Sequence, residues 1–180
     1  MSFTASIGVL QTIIERELTH VAALSLPESA SVHRTRRVVR LCSRAVSAPL
    51  GPNNTPFDVV GHDAAVALAH RFYDHMDAHE PELVAVHKTE NGKVAPEVRE
   101  RFALFLVEWL GGPRSYSDAH GHPRLRMRHG HVPIGVDLRD AWMRCMKAAL
   151  EHPTINDDVR GFLMRRFAEV ADFLRNRVER

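Results

Sequence analysis

Apolar side chains recur along this chain at steps of three and four residues, and no stretch alternates them convincingly, so nearly the whole length is committed to helices. Phe3, Ile7, Leu10, Ile14, Leu18 and Val21 form the first such stripe, and Pro27 marks its end. A second helix is expected over 32–46, carrying Arg34, Arg36, Arg37, Arg40 and Arg44. The run 47–56 (SAPLGPNNTP) holds three prolines, a glycine and two asparagines, and reads as a linker. The expected division is a helical N-terminal extension with its linker over 1–50 and a folded domain over 51–180.

Beyond the linker the pattern stays helical. A helix is expected over 64–76, containing Val66, His70 and Tyr73, followed at Pro81 by a short turn with Leu83 and Val86. The polar run 88–93 contains the turn signal Asn91-Gly92. Pro96 suits the first turn of the next helix, whose stripe is Val98, Phe102, Phe105, Leu106 and Trp109. Gly111-Gly112-Pro113 ends that helix, and an irregular, histidine- and arginine-rich stretch runs to Pro133. Leu138, Trp142, Cys145 and Ala149 make the inner face of another helix, which Pro153 stops. Asn156 or Asp157 caps the last helix, which buries Val159, Leu163, Phe167, Val170 and Leu174. No strand and no internal repeat is expected, and the fold class is all-α.

Several function classes fall away on composition. The net charge of +2 argues against a chain built to hold nucleic acid or a membrane surface. The arginines of 32–46 are diluted by Glu15, Glu17 and Glu28 and have no aromatic interleaving, so no nucleic-acid partner is expected. Cys42 and Cys145 make no disulfide framework, and a reducing compartment fits. Glu15, Arg16 and Glu17 break the first apolar stretch, so it does not read as a signal peptide. No run approaches the ~18 uncharged apolar residues of a membrane span. The expected location is cytoplasmic.

Histidine is the unusual component, with 12 copies, and points to metal, haem or proton chemistry. The densest segment is Gly121-His122-Pro123-Arg124-Leu125-Arg126-Met127-Arg128-His129, with Trp142 thirteen positions further on. Imidazole is a good iron ligand, and guanidinium forks pair with the propionates of an iron porphyrin. Zinc is the competing reading of His120, His122, His129 and His131, but no cysteine pair lies near and the spacing matches no common zinc module.

The motifs together resemble a known family. Phe105-Leu106-Val107-Glu108-Trp109-Leu110-Gly111-Gly112-Pro113, Tyr116-Ser117, Gly121-His122-Pro123, Leu125 to His129 and Asp140 to Met146 look like a truncated haemoglobin. Trp142 and the sequence of GGP, GHP and RH motifs point to the group II branch, over roughly residues 57–174.

The resemblance implies a two-over-two helical sandwich around one haem b. It makes His129 the proximal iron ligand, Tyr73 and Trp142 the distal groups facing a bound ligand, and Val98, Phe102 and Phe105 the distal wall. Leu106, Tyr116, His122, Leu125 and Arg126 are further haem-contact candidates, with Arg126 the preferred propionate partner. His87 stands where relatives usually carry tyrosine or phenylalanine. It either donates a hydrogen bond to the ligand or binds the iron as a sixth ligand.

Two function classes stay open. One is binding of oxygen and other diatomic ligands, as a scavenger or as a sensor. The other is redox catalysis, peroxidase-like or nitric oxide dioxygenase-like. No flavin or nicotinamide motif is present, so that second class needs an external reductase. The first helix is expected to pack on the domain or, in a homodimer, on its copy.

Overall fold

The computed structural model describes residue 50 and residues 54–178. The two N-terminal helices, the arginine cluster between 34 and 44 and the homodimer contact expected of them lie outside the described residues.

The domain opens with α1 (Pro56–Val60), held by a reciprocal cap. The Thr55 hydroxyl accepts from the Asp58 amide at 3.2 Å, while the Asp58 carboxylate accepts from the Thr55 amide at 2.8 Å. These bonds also hold the Asp58 carboxyl below its ordinary pKa. The Phe57 amide donates to the Leu110 carbonyl at 2.9 Å and so pins the start of the domain to the end of a later helix.

Helix α2 (His62–His79) buries Ala65, Leu68, Ala69, Phe72, Tyr73 and Met76, a stripe with the spacing of one helical face. After α3 (Pro81–Ala85), strands β1 (Thr89–Glu90) and β2 (Lys93–Val94) pair antiparallel around Asn91-Gly92. Asn91 and Gly92 both have positive φ, 51° and 77°, as a tight hairpin turn requires. The polar run was expected to turn, but pairing into a hairpin departs from the strand-free expectation.

Helix α4 (Pro96–Trp109) follows, then α5 (Ser115–His120) and α6 (Leu125–His129), and finally α7 (Val136–Leu150) and α8 (Asp157–Leu174). The stretch expected to be irregular up to Pro133 therefore holds two helices. Each is too short to show a full apolar period. Asn156 caps α8 by accepting from the Val159 amide at 2.9 Å.

Helix α2 packs against α4 and α7, and α8 packs on α7, giving two helix pairs stacked through α2 and α7. This is the two-over-two helical sandwich that the resemblance implies. Leu68, Phe72, Met76, Leu106, Leu110, Met146, Leu150 and Leu163 form its fully buried centre. Each such side chain stabilises by roughly 1.5–3 kcal/mol relative to exposure. Cys145 lies in the same core, where burial pushes its thiol up to about 12 and leaves it unreactive. Among the described residues no helix is long and apolar enough to cross a membrane.

Two polar clusters lock the frame. Arg144 on α7 reaches Glu80, between α2 and α3, through a two-pronged pair at 2.6 and 2.8 Å. Arg99 on α4 pairs with Asp77 and, at 2.8 Å, with Asp74 on α2. Its Nε donates to the Val94 carbonyl at 3.2 Å, and Asp77 also accepts from the Val94 amide at 3.0 Å. The hairpin is thus stitched to both neighbouring helices.

The tightest approach lies at the glycine pair after α4. A Cβ on Gly112 would sit 2.7 Å from the Phe57 ring and 2.8 Å from the Val107 carbonyl oxygen. Gly112→Ala is expected to cost about 1–3 kcal/mol, read as a lowered midpoint in denaturant unfolding.

Candidate functional site

A cavity of about 630 Å³ opens among α2, α3, α4, α6, α7 and α8, a size suited to a cofactor. Phe72, Val98, Phe102 and Phe105 line it from α2 and α4, and Leu138, Val170 and Leu174 from α7 and α8. Val86 and Met127 stand on its lining while 36% and 71% exposed, so they are large apolar groups without full protein cover.

His129 lines the cavity from the last residue of α6. Its Nδ1 lies 2.8 Å from the Leu125 carbonyl, one helical turn back. A carbonyl only accepts, so Nδ1 carries the hydrogen and Nε2 of the neutral ring keeps a lone pair. That is the form a metal takes up. His87 repeats the arrangement just after α3, with Nδ1 2.6 Å from the Leu83 carbonyl. Burial, the largest influence, and the positive charge available to His129 lower the His87 pKa, against raising effects of the Leu83 bond and Asp77.

Tyr73 is 4% exposed, with its ring edge-on to His87 at 5.8 Å and to Phe102 at 5.6 Å between centroids. Trp142 packs at 5.4 Å from Phe72 and 5.8 Å from Phe167. Both line the cavity. Burial drives the Tyr73 pKa well above its ordinary value, so the phenol remains a donor.

Positive charge gathers on the lining through Lys88, Arg101, Arg128 and Arg139. Lys88 is occupied by Glu97, and Arg139 by Asp140 and Asp172 at 2.8 and 3.1 Å. Arg128 meets only backbone oxygens, those of Pro123 at 2.9 Å and His120 at 3.5 Å.

The cavity thus brings together Tyr73, His87, Val98, Phe102, Phe105, Tyr116, Leu125, His129 and Trp142. It does not include Leu106, His122 or Arg126. Leu106 is fully buried in the core because it sits about 100° around α4 from Phe105. His122 is exposed, and its Nδ1 accepts from the Arg124 amide at 3.1 Å, bracing a turn in which Arg124 has φ 45°. Arg126 lies with its guanidinium 5.1 Å from the Phe173 ring centroid.

Sequence reasoning missed Arg101 and Arg128 as lining groups. Arg128 directly precedes His129, and its two-residue offset from Arg126 was the available signal, because such residues do not share a helix face. The four histidines between 120 and 131 do not converge: among the described residues no group of three or more His, Cys, Asp or Glu could hold a metal ion.

Apolar walls, a lone-pair nitrogen and the Arg128 guanidinium, bonded to backbone oxygens, fit an anionic, flat iron macrocycle. Comparison with known proteins runs the same way. The family model for bacterial-like globins matches residues 55–176. The chain is 33% identical to the group 2 truncated hemoglobin of Bacillus subtilis, over 70% of this chain and 92% of that one. Among solved structures, a cold-adapted truncated hemoglobin from the Antarctic marine bacterium Pseudoalteromonas haloplanktis has TM-score 0.64 and 37% identity, covering 69% of this chain and 100% of the other. A truncated oxygen-avid haemoglobin from Bacillus subtilis has TM-score 0.61 and 33% identity, covering 68% and 100%.

The chain has two tyrosines, Tyr73 and Tyr116, which allows a clean assignment. In an alkaline absorbance titration, the phase removed by Tyr73→Phe should begin well above the ordinary value of 10.0. Ionisation of that phase near 10.0 would show a wetter pocket than the packing implies.

Proposed function

Because the chain belongs to the bacterial-like globin family, as a group II truncated haemoglobin, we propose that it binds haem b through His129. Oxygen and other small diatomic ligands are then held beneath Tyr73 and Trp142. The observation that carries this reading is the His129–Leu125 bond of 2.8 Å, which leaves Nε2 as the ring atom free for iron. When bound, haem supplies an iron that takes such ligands and exchanges electrons.

This chain's own residues do the rest. The carbonyl of Leu125 fixes the His129 tautomer and raises the ring's basicity as a ligand. Arg128, which lines the cavity and bonds backbone oxygens, is placed to pair with a propionate, and Arg101 on the same lining adds positive charge beside Glu97. The Tyr73 hydroxyl and the Trp142 indole N–H are donors that oppose negative charge gathering on a bound diatomic ligand. In a dry site a neutral bond of this kind contributes on the order of 1 kcal/mol net, enough for a several-fold change in affinity. Together they favour slow release, and with it scavenging or sensing over bulk delivery.

A redox role, peroxidase-like or nitric oxide dioxygenase-like with electrons from a separate reductase, is the second reading. It is favoured by His87, whose Nε2 offers a lone pair to the same cavity. We take the globin domain to span 51–180, with the extension before it.

Visible spectra of the haem-loaded protein test the assignment. Wild type should give a five-coordinate ferrous spectrum that collapses in His129→Ala, and imidazole added to His129→Gly should restore it. No stoichiometric haem binding would overturn the proposal. Tyr73→Phe and Trp142→Leu should each speed oxygen release about fivefold in stopped flow.

A further inference from the structure

His87 has two roles open to it on sequence, as a hydrogen-bond donor to the ligand or as an iron ligand. The structure argues against the donor role. Its Nδ1 stands 2.6 Å from the Leu83 carbonyl oxygen. The tautomer that would present an N–H to the cavity would set the Nδ1 lone pair against that oxygen, two acceptors in contact with no hydrogen between them. The neutral ring therefore keeps its hydrogen on Nδ1 and faces the cavity with an acceptor at Nε2. Tyr73 and Trp142 already supply donors to the same space.

We propose that His87 is the proton acceptor of this cavity for ligands that arrive carrying a proton, hydrogen peroxide above all. The inference rests on the haem reading given above, and it deepens its redox branch. In the step, an O–H bond of hydrogen peroxide breaks, its electron pair stays on oxygen, and an N–H bond forms at Nε2. The ring becomes an imidazolium, its Nδ1–H still donating to Leu83. When the O–O bond later opens, that proton passes to the departing hydroxide, makes water and restores the neutral ring. Haem, when bound, would supply the two electrons for that cleavage, and an external one-electron donor would return them one at a time. His87 itself moves only a proton.

The surroundings suit a base that is neutral and ready. Tyr73 and Asp77 face His87 from α2, His129 from α6, and Lys88 and Arg101 line the cavity beside it. Arg139 lines it from α7, already paired with Asp140 and Asp172. Burial is the largest influence on the ring and favours the uncharged form. The pKa lies below 6.5, so acceptor capacity is present at neutral pH and is lost as pH falls through that lowered value.

Hydrogen cyanide is the probe, because near neutral pH it is almost wholly protonated and must lose its proton to bind ferric haem. Its association with the ferric, haem-loaded protein is followed by stopped flow from about pH 5 to 8, for wild type, His87→Leu and His87→Gln. The wild-type rate should fall on acidification with a midpoint below 6.5. Both variants should lose that limb, and His87→Leu should bind cyanide about 10²-fold more slowly at neutral pH. Carbon monoxide, which carries no proton, should bind the ferrous forms with far less change.

An unchanged cyanide rate in His87→Leu would overturn the proposal. So would a faster rate together with a low-spin wild-type spectrum lost in the variant, which would make His87 an iron ligand. If neither variant loads haem, a wild-type profile flat across the range overturns it, and the acidic limb supports it. Failure of the haem reading is separable, because wild type would then show no haem spectrum at all.

Discussion

A hydrogen bond between a ring nitrogen and a backbone carbonyl four residues back decides the chemistry of this cavity. An imidazole has two nitrogens and, when neutral, one hydrogen, so whatever holds that hydrogen also decides which nitrogen is left with a lone pair. His129 gives its hydrogen to Leu125 and His87 gives its hydrogen to Leu83. Both histidines sit at or just beyond the end of a five-residue helix, so each ring folds back onto a carbonyl one turn earlier, and that of Leu83 also accepts from the Val86 amide at 3.2 Å. Short helices of this kind contribute little to the core, and α6 buries no residue at all. Their use is to hold a backbone carbonyl at a fixed distance from a ring.

Those two short helices have to be held by something larger. Helix α3 follows directly from α2 at Glu80, which Arg144 grips from α7. Helix α6 leans on α8, and the Asn176 amide beyond α8 reaches back to the Val132 carbonyl at 2.8 Å. The long helices α2, α4, α7 and α8 thus act as a frame. The residues that touch a ligand are carried on its shortest attachments and on the inner stripes of the frame itself.

This division explains what the sequence made legible. The long helices were visible because about four or five turns of period repeat the same message. The wall role of Val98, Phe102 and Phe105 came from the family resemblance, since the same stripe also held Leu106, which lies off the cavity. Helix α5 was not, since Ser115 to His120 is a polar turn and a half with only Tyr116 buried. The hairpin has two-residue strands, too short for alternation to register, and depends on Arg99 and Asp77 from elsewhere in the chain. At the site, His129, Tyr73 and Trp142 were marked by motif. The choice of Arg126 over Arg128 depended on the facing of a single helical turn, which one-dimensional spacing specifies poorly. The tautomer of His87 was out of reach in principle, because it is set by a distance to a backbone oxygen and not by residue type.

The cavity also bears on stability. A space of about 630 Å³ with phenylalanine, valine and leucine on its walls forfeits the packing contacts those side chains would make in a filled core. Met127 and Val86 at its edge remain partly in water. Any group that fills the space in the folded chain and not in the unfolded one adds its binding free energy to folding, by mass action. The same residues are therefore constrained twice, by the ligand's chemistry and by the fold's dependence on it. That dependence gives the domain a reason to keep apolar walls on a cavity whose polar groups alone would have been enough for recognition.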